Sequence, residues 1–220
     1  MPDVDVPLGI MHMPATAAHG GYALYVPERY TPASCWPVIV CLHGAYGHGH
    51  EYLWTWLRVA RSHGCMILAP KSCGPTWSLT NPVVDIDSIK AMLAALGNRY
   101  QIDDDRIYLT GLSDGGSFAY EFGLSCPSLV AGVAPIAAVL HPAADQLLRK
   151  KQGLDLPLFV VHGAQDFIFD VRAVRSQIGL LEKLGYHITY TELPHWGHAY
   201  TNHINEQLVW PWFAGLTQPA

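Results

Sequence analysis

The chain has 220 residues, of which 50% are hydrophobic and 14% are charged, and its net charge is −5 with the histidines neutral. This apolar content excludes an intrinsically disordered chain, because it is high enough to build a core that offsets chain entropy. The negative charge, without runs of lysine or arginine, argues against nucleic acid or anionic lipid as a partner. No apolar stretch is long enough to span a bilayer. We expect one domain over residues 1–220.

The N-terminus and the cysteines bear on the cellular compartment. Asp3, Asp5 and Pro7 stand where a secretory signal would have positive charges and an apolar run. The five cysteines form an odd set without C-x-x-C spacing, which is not typical of a disulfide framework or a zinc knuckle. We therefore predict a cytoplasmic protein.

Short apolar runs alternate with amphipathic stretches, which is typical of parallel strands joined by crossover helices. The predicted strands cover residues 22–26, 38–42, 66–69, 106–111, 132–137, 158–162 and 187–193. The predicted helices cover residues 52–63, 87–100, 115–125, 145–150, 171–184 and 202–216. Pro211 should bend or interrupt the last helix. Strand 22–26 is expected near an edge and antiparallel, because Pro27 limits its pairing.

A G-x-S-x-G motif, Gly111-Leu112-Ser113-Asp114-Gly115, lies between predicted strand 106–111 and predicted helix 115–125. A serine in such a sharp strand-to-helix turn is lifted clear of the sheet and can act as a nucleophile. The helix start favours an oxyanion, so we predict the Asp114 amide as one donor of an oxyanion hole. The alternative is a glycine-rich turn with an incidental serine.

The loop after strand 38–42 has the sequence His43-Gly44-Ala45-Tyr46-Gly47. Its glycines allow backbone amides to turn toward the neighbouring serine, and we predict the Ala45 amide as the second oxyanion donor. The alternative is a turn that only ends the strand.

A serine nucleophile needs an imidazole base and a carboxylate that orients the base. In the fold that the motif indicates, both follow the serine, in loops after strands. Asp166 follows strand 158–162 and is the predicted acid, whereas Asp170 directly precedes a predicted helix and is expected to cap it.

Three histidines follow the last predicted strand, and one of them should be the base. His198 is preferred over His195 and His203, because Gly197 frees the backbone before it and a helix follows it.

Aromatic residues near these loops are candidates for substrate contacts. Trp77 lies in an irregular segment and is predicted to line the acyl or alcohol pocket, with packing as the alternative. Tyr46 is a second candidate, while Trp56 is expected in the core. His48 and His50 resemble a metal clip but have no third ligand nearby in sequence, so no metal is predicted.

These motifs resemble the phospholipase/carboxylesterase branch of the α/β-hydrolase superfamily, and are similar to esterases related to polyhydroxybutyrate depolymerases. The resemblance rests on His43-Gly44, residues 103–116, residues 161–166 and Gly197-His198. It implies hydrolysis of esters or thioesters without a metal or an organic cofactor, with Asp166 as acid and His198 as base. Asp114 departs from the family pattern, where an uncharged residue is common, and we expect an exposed carboxylate there.

We therefore predict an α/β-hydrolase fold with helices on both faces of a mostly parallel sheet and little or no cap domain. Short connections predict an open groove, so the expected function is a serine carboxylesterase that hydrolyses small-molecule esters with short acyl chains through an acyl-enzyme intermediate. The alternatives are a thioesterase, a lysophospholipase, a hydroxyalkanoate depolymerase, or a non-catalytic binding protein on this scaffold.

Overall fold

Eight strands form one sheet at the centre of the computed structural model, which describes residues 6–216. The strands are β1 Gly9–Met13, β2 Tyr22–Val26, β3 Trp36–Leu42, β4 Met66–Pro70, β5 Ile102–Leu112, β6 Gly132–Ile136, β7 Leu158–Gly163 and β8 Ile188–Leu193. Their order across the sheet is β1-β2-β4-β3-β5-β6-β7-β8. β2 pairs antiparallel with both β1 and β4, and the remaining pairs are parallel. The prediction of a mostly parallel sheet is confirmed.

Helices cover both faces of this sheet. They are α1 Gly49–His63, α2 Val83–Gly97, α3 Asp114–Ser125, α4 Asp145–Arg149, α5 Val171–Leu184, α6 Asn202–Ile204 and α7 Trp210–Ala214, with a π-helical turn at Asn205–Val209 and 3-10 turns at Pro127–Leu129 and Pro142–Ala144. One core cluster includes apolar residues of α2, α3 and α5, and a second cluster includes those of α1 and the C-terminal helices. Residues 6–216 contain no inserted cap over the sheet, as predicted.

The element bounds differ from the predicted ones in a few places. β1 was not predicted, because its residues are alternately half-buried and exposed rather than continuously apolar. It takes the sheet edge, so β2 is paired on both sides. α2 spans Val83–Gly97 instead of 87–100. The last helix is interrupted as predicted, since Pro211 lacks an N–H and a π-helical turn directly precedes its segment.

The parallel strands bring four loops to the same edge of the sheet. β3, β5, β7 and β8 all run in one direction, so their carboxyl ends lie together. The loops after these four strands contain Ala45, Ser113, Asp166 and His198. Residues far apart in sequence therefore meet above one part of the sheet.

Trp56 is the largest of the side chains that the helix α1 buries in the core. Trp56 is fully buried, and its ring centroid lies 6.2 Å from that of Phe213 in α7. Trp54, two residues earlier, points the other way and is 59% exposed. The two tryptophans thus differ in burial within the same helical turn, and Trp56 belongs to the core as expected.

Replacing Trp56 by alanine should lower the free energy of unfolding by about 3–5 kcal/mol, because the cavity cannot collapse fully. Trp54→Ala is the matched control and should change it by no more than about 0.5 kcal/mol. Urea unfolding followed by circular dichroism measures both values. Equal losses in the two variants would contradict this account of how α1 packs.

Candidate active site

Ser113 occupies a strained turn between β5 and α3. Its backbone has φ 55° and ψ −117°, in a region that residues with a side chain rarely adopt. Its N–H donates to the Ile136 carbonyl of β6 at 2.9 Å, and its own carbonyl accepts from Ser117 N–H. A methyl group at Gly115 would lie 2.4 Å from the His43 carbonyl oxygen, so only glycine permits the approach of the loop after β3. The turn is thus fixed by neighbours on both sides.

A chain of two hydrogen bonds joins Ser113 to Asp166 through the His198 ring. His198 Nε2 lies 2.9 Å from Ser113 Oγ, and His198 Nδ1 lies 2.8 Å from Asp166 Oδ2. A carboxylate can only accept, so the ring proton belongs on Nδ1 and Nε2 is left as the acceptor for the serine hydroxyl. The structure therefore brings together the three side chains that the sequence analysis selected.

The Asp166 carboxylate is fully buried and is held by more than the imidazole. Its Oδ1 accepts from Ile168 N–H at 2.8 Å and from Phe169 N–H at 2.9 Å. Burial raises the pKa of this carboxyl, but the hydrogen bonds from Phe169, His198 and Ile168 outweigh burial and leave the pKa below its usual value. The group is thus ionised and oriented toward the ring.

The rival residues lie elsewhere. Asp170 accepts from Arg172 N–H at 2.8 Å as the N-cap of α5, and it also pairs with the Arg172 guanidinium. His195 and His203 are both exposed. Asp170 therefore caps a helix, as expected, and the ring within reach of Ser113 is that of His198.

His162 supports the acid loop and was missed by the sequence analysis. It lies in β7, is almost fully buried, and donates from Nε2 to the Phe169 carbonyl at 2.9 Å. The same nitrogen lies 3.7 Å from Asp166 Oδ2. A histidine inside an otherwise apolar strand, four residues before the acid, was the available signal, because a buried polar side chain needs partners.

The loop after β3 lies against the serine. A methyl group at Gly44 would lie 3.8 Å from Ser113 Cβ. The buried His43 ring donates from Nδ1 to the Gly44 carbonyl at 2.7 Å and accepts at Nε2 from Ser72 N–H at 3.1 Å. Burial lowers the pKa of His43, which fits a neutral ring that accepts at Nε2. The peptide that carries the Ala45 N–H is therefore held beside Ser113.

The loops that contain the site residues also present exposed apolar side chains: Tyr46 in the loop after β3, and Phe167 and Ile168 in the loop after β7. Phe167 is 83% exposed and its ring centroid lies 6.4 Å from that of His198, edge to face. Tyr46 is 78% exposed, with φ 58°, in the loop after β3. Phe167 and Ile168 were not predicted, because nothing in a loop sequence tells an exposed aromatic from a buried one.

Two sequence-based expectations about side chains near the serine are wrong. Trp77 is only 2% exposed, stacks on Phe118 with centroids 4.9 Å apart, and donates its indole N–H to the His43 carbonyl, so it packs instead of lining a pocket. The Asp114 carboxylate is half-buried rather than exposed. It accepts hydrogen bonds from Thr76 Oγ1 and from Trp77 N–H.

Five surface cavities have volumes between about 150 and 450 Å³, and none of the five is lined by Ser113, Asp166 or His198.

Among residues 6–216 there is no group of three or more His, Cys, Asp or Glu residues that could hold a metal ion. Over the same range, none of the helices has both the length and the apolar character required to cross a membrane.

The sequence of the chain is similar to those of known hydrolases. A family model described as phospholipase/carboxylesterase matches residues 85–208, which is more than half of the chain. A bifunctional acetylxylan esterase/xylanase of Neocallimastix patriciarum is 26% identical over 160 residues, covering 70% of this chain and 22% of that protein. Acyl-protein thioesterase 1 of Neurospora crassa is 27% identical over 101 residues, covering 44% of this chain and 41% of that protein. The chain thus matches less than half the length of either relative.

A solved structure described as a thermostable esterase has the same overall fold. It superimposes with a TM-score of 0.74 at 25% identity, covering 94% of this chain and 62% of the other. An α/β-hydrolase fold, as predicted, is confirmed by this likeness and by the sheet order.

Gly163 permits the close approach of the acid and histidine loops, and replacing it tests the geometry. A methyl group there would lie 2.3 Å from the Trp196 carbonyl oxygen and 2.6 Å from that of Gly197. In Gly163→Ala the backbone before His198 must shift, and a shift of about 1 Å can cost about 10²-fold in rate. We expect that loss in the rate of Ser113 modification by a fluorophosphonate, measured by intact mass.

Gly179→Ala is the matched control, because no neighbouring atom lies within 4 Å of a methyl group at this position of α5. It should react like the unmodified protein. Similar reaction rates for the two variants would show that the close contact at Gly163 does not matter.

Proposed function

The chain belongs to the phospholipase/carboxylesterase family of α/β-hydrolases, and we propose that it hydrolyses carboxylic esters through an acyl-enzyme intermediate on Ser113. It is an enzyme of the serine hydrolase class, of the esterase or thioesterase type. The observation that carries the proposal is the pair of hydrogen bonds from Ser113 to His198 and from His198 to Asp166, at 2.9 and 2.8 Å. Such a chain activates a hydroxyl that is otherwise a weak nucleophile.

In the first half-reaction Ser113 Oγ attacks the ester carbonyl carbon while its proton moves to His198 Nε2. The buried Asp166 carboxylate stabilises the imidazolium that forms. The carbonyl oxygen becomes an oxyanion, and the Asp114 and Ala45 N–H groups are the donors that we assign to it. The Asp114 N–H suits this role because it lies at the start of α3, where amides have no partner within the helix. His198 then protonates the leaving alcohol as the carbon–oxygen bond breaks.

The second half-reaction releases the acyl group. A water molecule attacks the acyl-enzyme, and His198 Nε2 takes one of its protons. The same two amides hold the second oxyanion, and the Ser113 oxygen leaves with the proton that His198 returns. No step in this cycle requires a metal or an organic cofactor.

We propose small esters with short acyl chains as the substrates. Residues 6–216 include no inserted domain that would cover Ser113, so a long acyl chain would find little protein surface to bury. The exposed Phe167 ring, edge to face with His198, instead offers contact with the groups next to the scissile bond. The acetylxylan esterase activity in the name of one relative agrees with a short acyl group.

A thioesterase is the second candidate, supported by the similarity to acyl-protein thioesterase 1 of Neurospora crassa. The same two half-reactions apply, with a thiol as the leaving group. Comparing kcat/KM for paired acetyl esters and acetyl thioesters distinguishes the candidates, since the acyl-enzyme is the same for both substrates.

All eight strands lie in one sheet, which also supports our expectation of a single domain.

Ser113→Ala should lower kcat for an aryl acetate by at least about 10³-fold, because the nucleophile is lost while binding and the oxyanion donors remain. It should also abolish labelling by a fluorophosphonate. Ser176→Ala removes an exposed hydroxyl of α5 as the matched control and should leave both readouts unchanged. A Ser113→Ala variant that retains most of its activity would refute the proposed function.

Phe167→Ala should lower kcat/KM for naphthyl acetate about 2–10-fold more than for methyl acetate, because the ring is exposed beside His198 and can contact an aromatic alcohol. Leu180→Ala, an exposed apolar residue of α5, is the control and should change neither value.

In the unmodified protein, kcat/KM should fall from butyrate to laurate esters. A steady rise toward laurate would contradict the open-site interpretation.

A further inference from the structure

We infer that the Asp114 side chain is a positioning residue that holds the second oxyanion donor in place through Thr76, Trp77 and His43. This inference rests on the proposed function, because it concerns the same oxyanion hole. Asp114 directly follows Ser113, and its Oδ2 accepts from Thr76 Oγ1 and, at 3.1 Å, from Trp77 N–H. The carboxylate therefore binds the segment between β4 and α2 instead of facing a substrate.

Trp77 passes this attachment on to the loop after β3. Its indole Nε1–H donates to the His43 carbonyl at 2.8 Å, a buried contact. One face of the indole stacks on Phe118 of α3 at an interplanar angle of 17°, and the ring centroid lies 4.8 Å from that of His43. Trp77 is thus fixed between α3 and the loop after β3. A shift of the Trp77 backbone would therefore also move the His43 carbonyl.

His43 in turn fixes the peptide group that carries the second donor. Its Nδ1–H donates to the Gly44 carbonyl at 2.7 Å, and Gly47 N–H donates to the same oxygen at 3.0 Å. The Gly44 carbonyl and the Ala45 N–H belong to one planar trans peptide and point in opposite directions. Holding the carbonyl on one side therefore sets the direction of the Ala45 N–H on the other side.

The segment that Asp114 binds is itself held at a second place. Asp85 in α2 is buried, and its carboxylate accepts from Cys73 N–H at 2.7 Å and from Ser78 N–H at 3.1 Å. Ser72 N–H donates to the His43 ring at 3.1 Å. Asp114 therefore contacts an ordered segment, and its hydrogen bonds can transmit a fixed position.

Asp114 therefore determines the position of both proposed oxyanion donors. The Asp114 N–H is one donor itself, and the Asp114 carboxylate begins the path that ends at the Ala45 N–H. Preorganised donors stabilise an oxyanion more than donors that must reorient during the reaction. The aspartate is therefore explained by hydrogen bonding rather than by a charge presented to the substrate.

The test compares Asp114→Ala, Asp114→Asn and Trp77→Phe in the full chain. Loss of one oxyanion donor costs on the order of 10²–10³ in rate, and loosening a donor should cost less. We expect Asp114→Ala to lower kcat about 10- to 100-fold with KM within about threefold, because the path to the Ala45 donor is cut. Asp114→Asn should stay within about fivefold of the unmodified kcat, because an amide oxygen still accepts both hydrogen bonds.

A second readout reports the oxyanion directly. An aryl trifluoromethyl ketone adds Ser113 Oγ to its carbonyl carbon and leaves an oxyanion, with the serine proton on His198. Its inhibition constant should rise by the same factor as kcat falls in Asp114→Ala and Trp77→Phe. The double variant should lose little more than the larger single loss, since both changes cut one path. Asp170→Ala, which removes a helix cap, controls for lost stability and should change neither readout.

Unchanged kcat and inhibition constant in both Asp114→Ala and Trp77→Phe would overturn the inference. Equal losses in Asp114→Ala and Asp114→Asn would also overturn it, since charge would then matter and hydrogen bonding would not. If Asp114→Ala does not fold, Trp77→Phe tests the same path from its other end while keeping an aromatic ring. Activity that survives Ser113→Ala would instead refute the proposed function, so the two failures are distinguishable.

Discussion

The backbone of Ser113 is held in a conformation that it would not adopt alone, and the rest of the site depends on this. Its φ of 55° carries a cost of about 1–3 kcal/mol for a residue with a side chain, and such strain persists only where the surroundings over-determine it. Here the Ile136 carbonyl, the first turn of α3 and the close approach at Gly115 provide that constraint. The hydroxyl then lies above the sheet, where the loop after β7 brings the Asp166 carboxylate and the loop after β8 brings the His198 imidazole.

The parts of the fold that could be predicted from sequence are those with a strong local pattern. Strand 22–26 and helix 171–184 have the predicted bounds, because a continuous apolar run and a 3.6-residue apolar period are both visible locally. β1 was not predicted, because a strand at the edge of the sheet requires only alternating burial. The G-x-S-x-G motif predicted the strained turn, since its glycines and its place between strand and helix are local features as well.

Other parts depend on contacts between distant segments, which no local pattern reveals. Trp77 was expected to line a pocket, and its burial results from Phe118 and His43, each more than thirty residues away. The partners of the Asp114 carboxylate lie in the segment before α2, so its exposure could not be judged from its neighbours in sequence. Phe167 is the reverse case, an aromatic residue that remains 83% exposed in the same loop that buries the Asp166 carboxylate.

The buried ring of His43 has a consequence for how acid should affect the enzyme. Because burial lowers the pKa of this imidazole, the ring stays neutral into more acidic solution than a free histidine would. A neutral ring can keep both of its contacts, to the Gly44 carbonyl and to Ser72 N–H. The loop beside the serine therefore keeps these two contacts in mildly acidic solution, where a free histidine would already take up a proton.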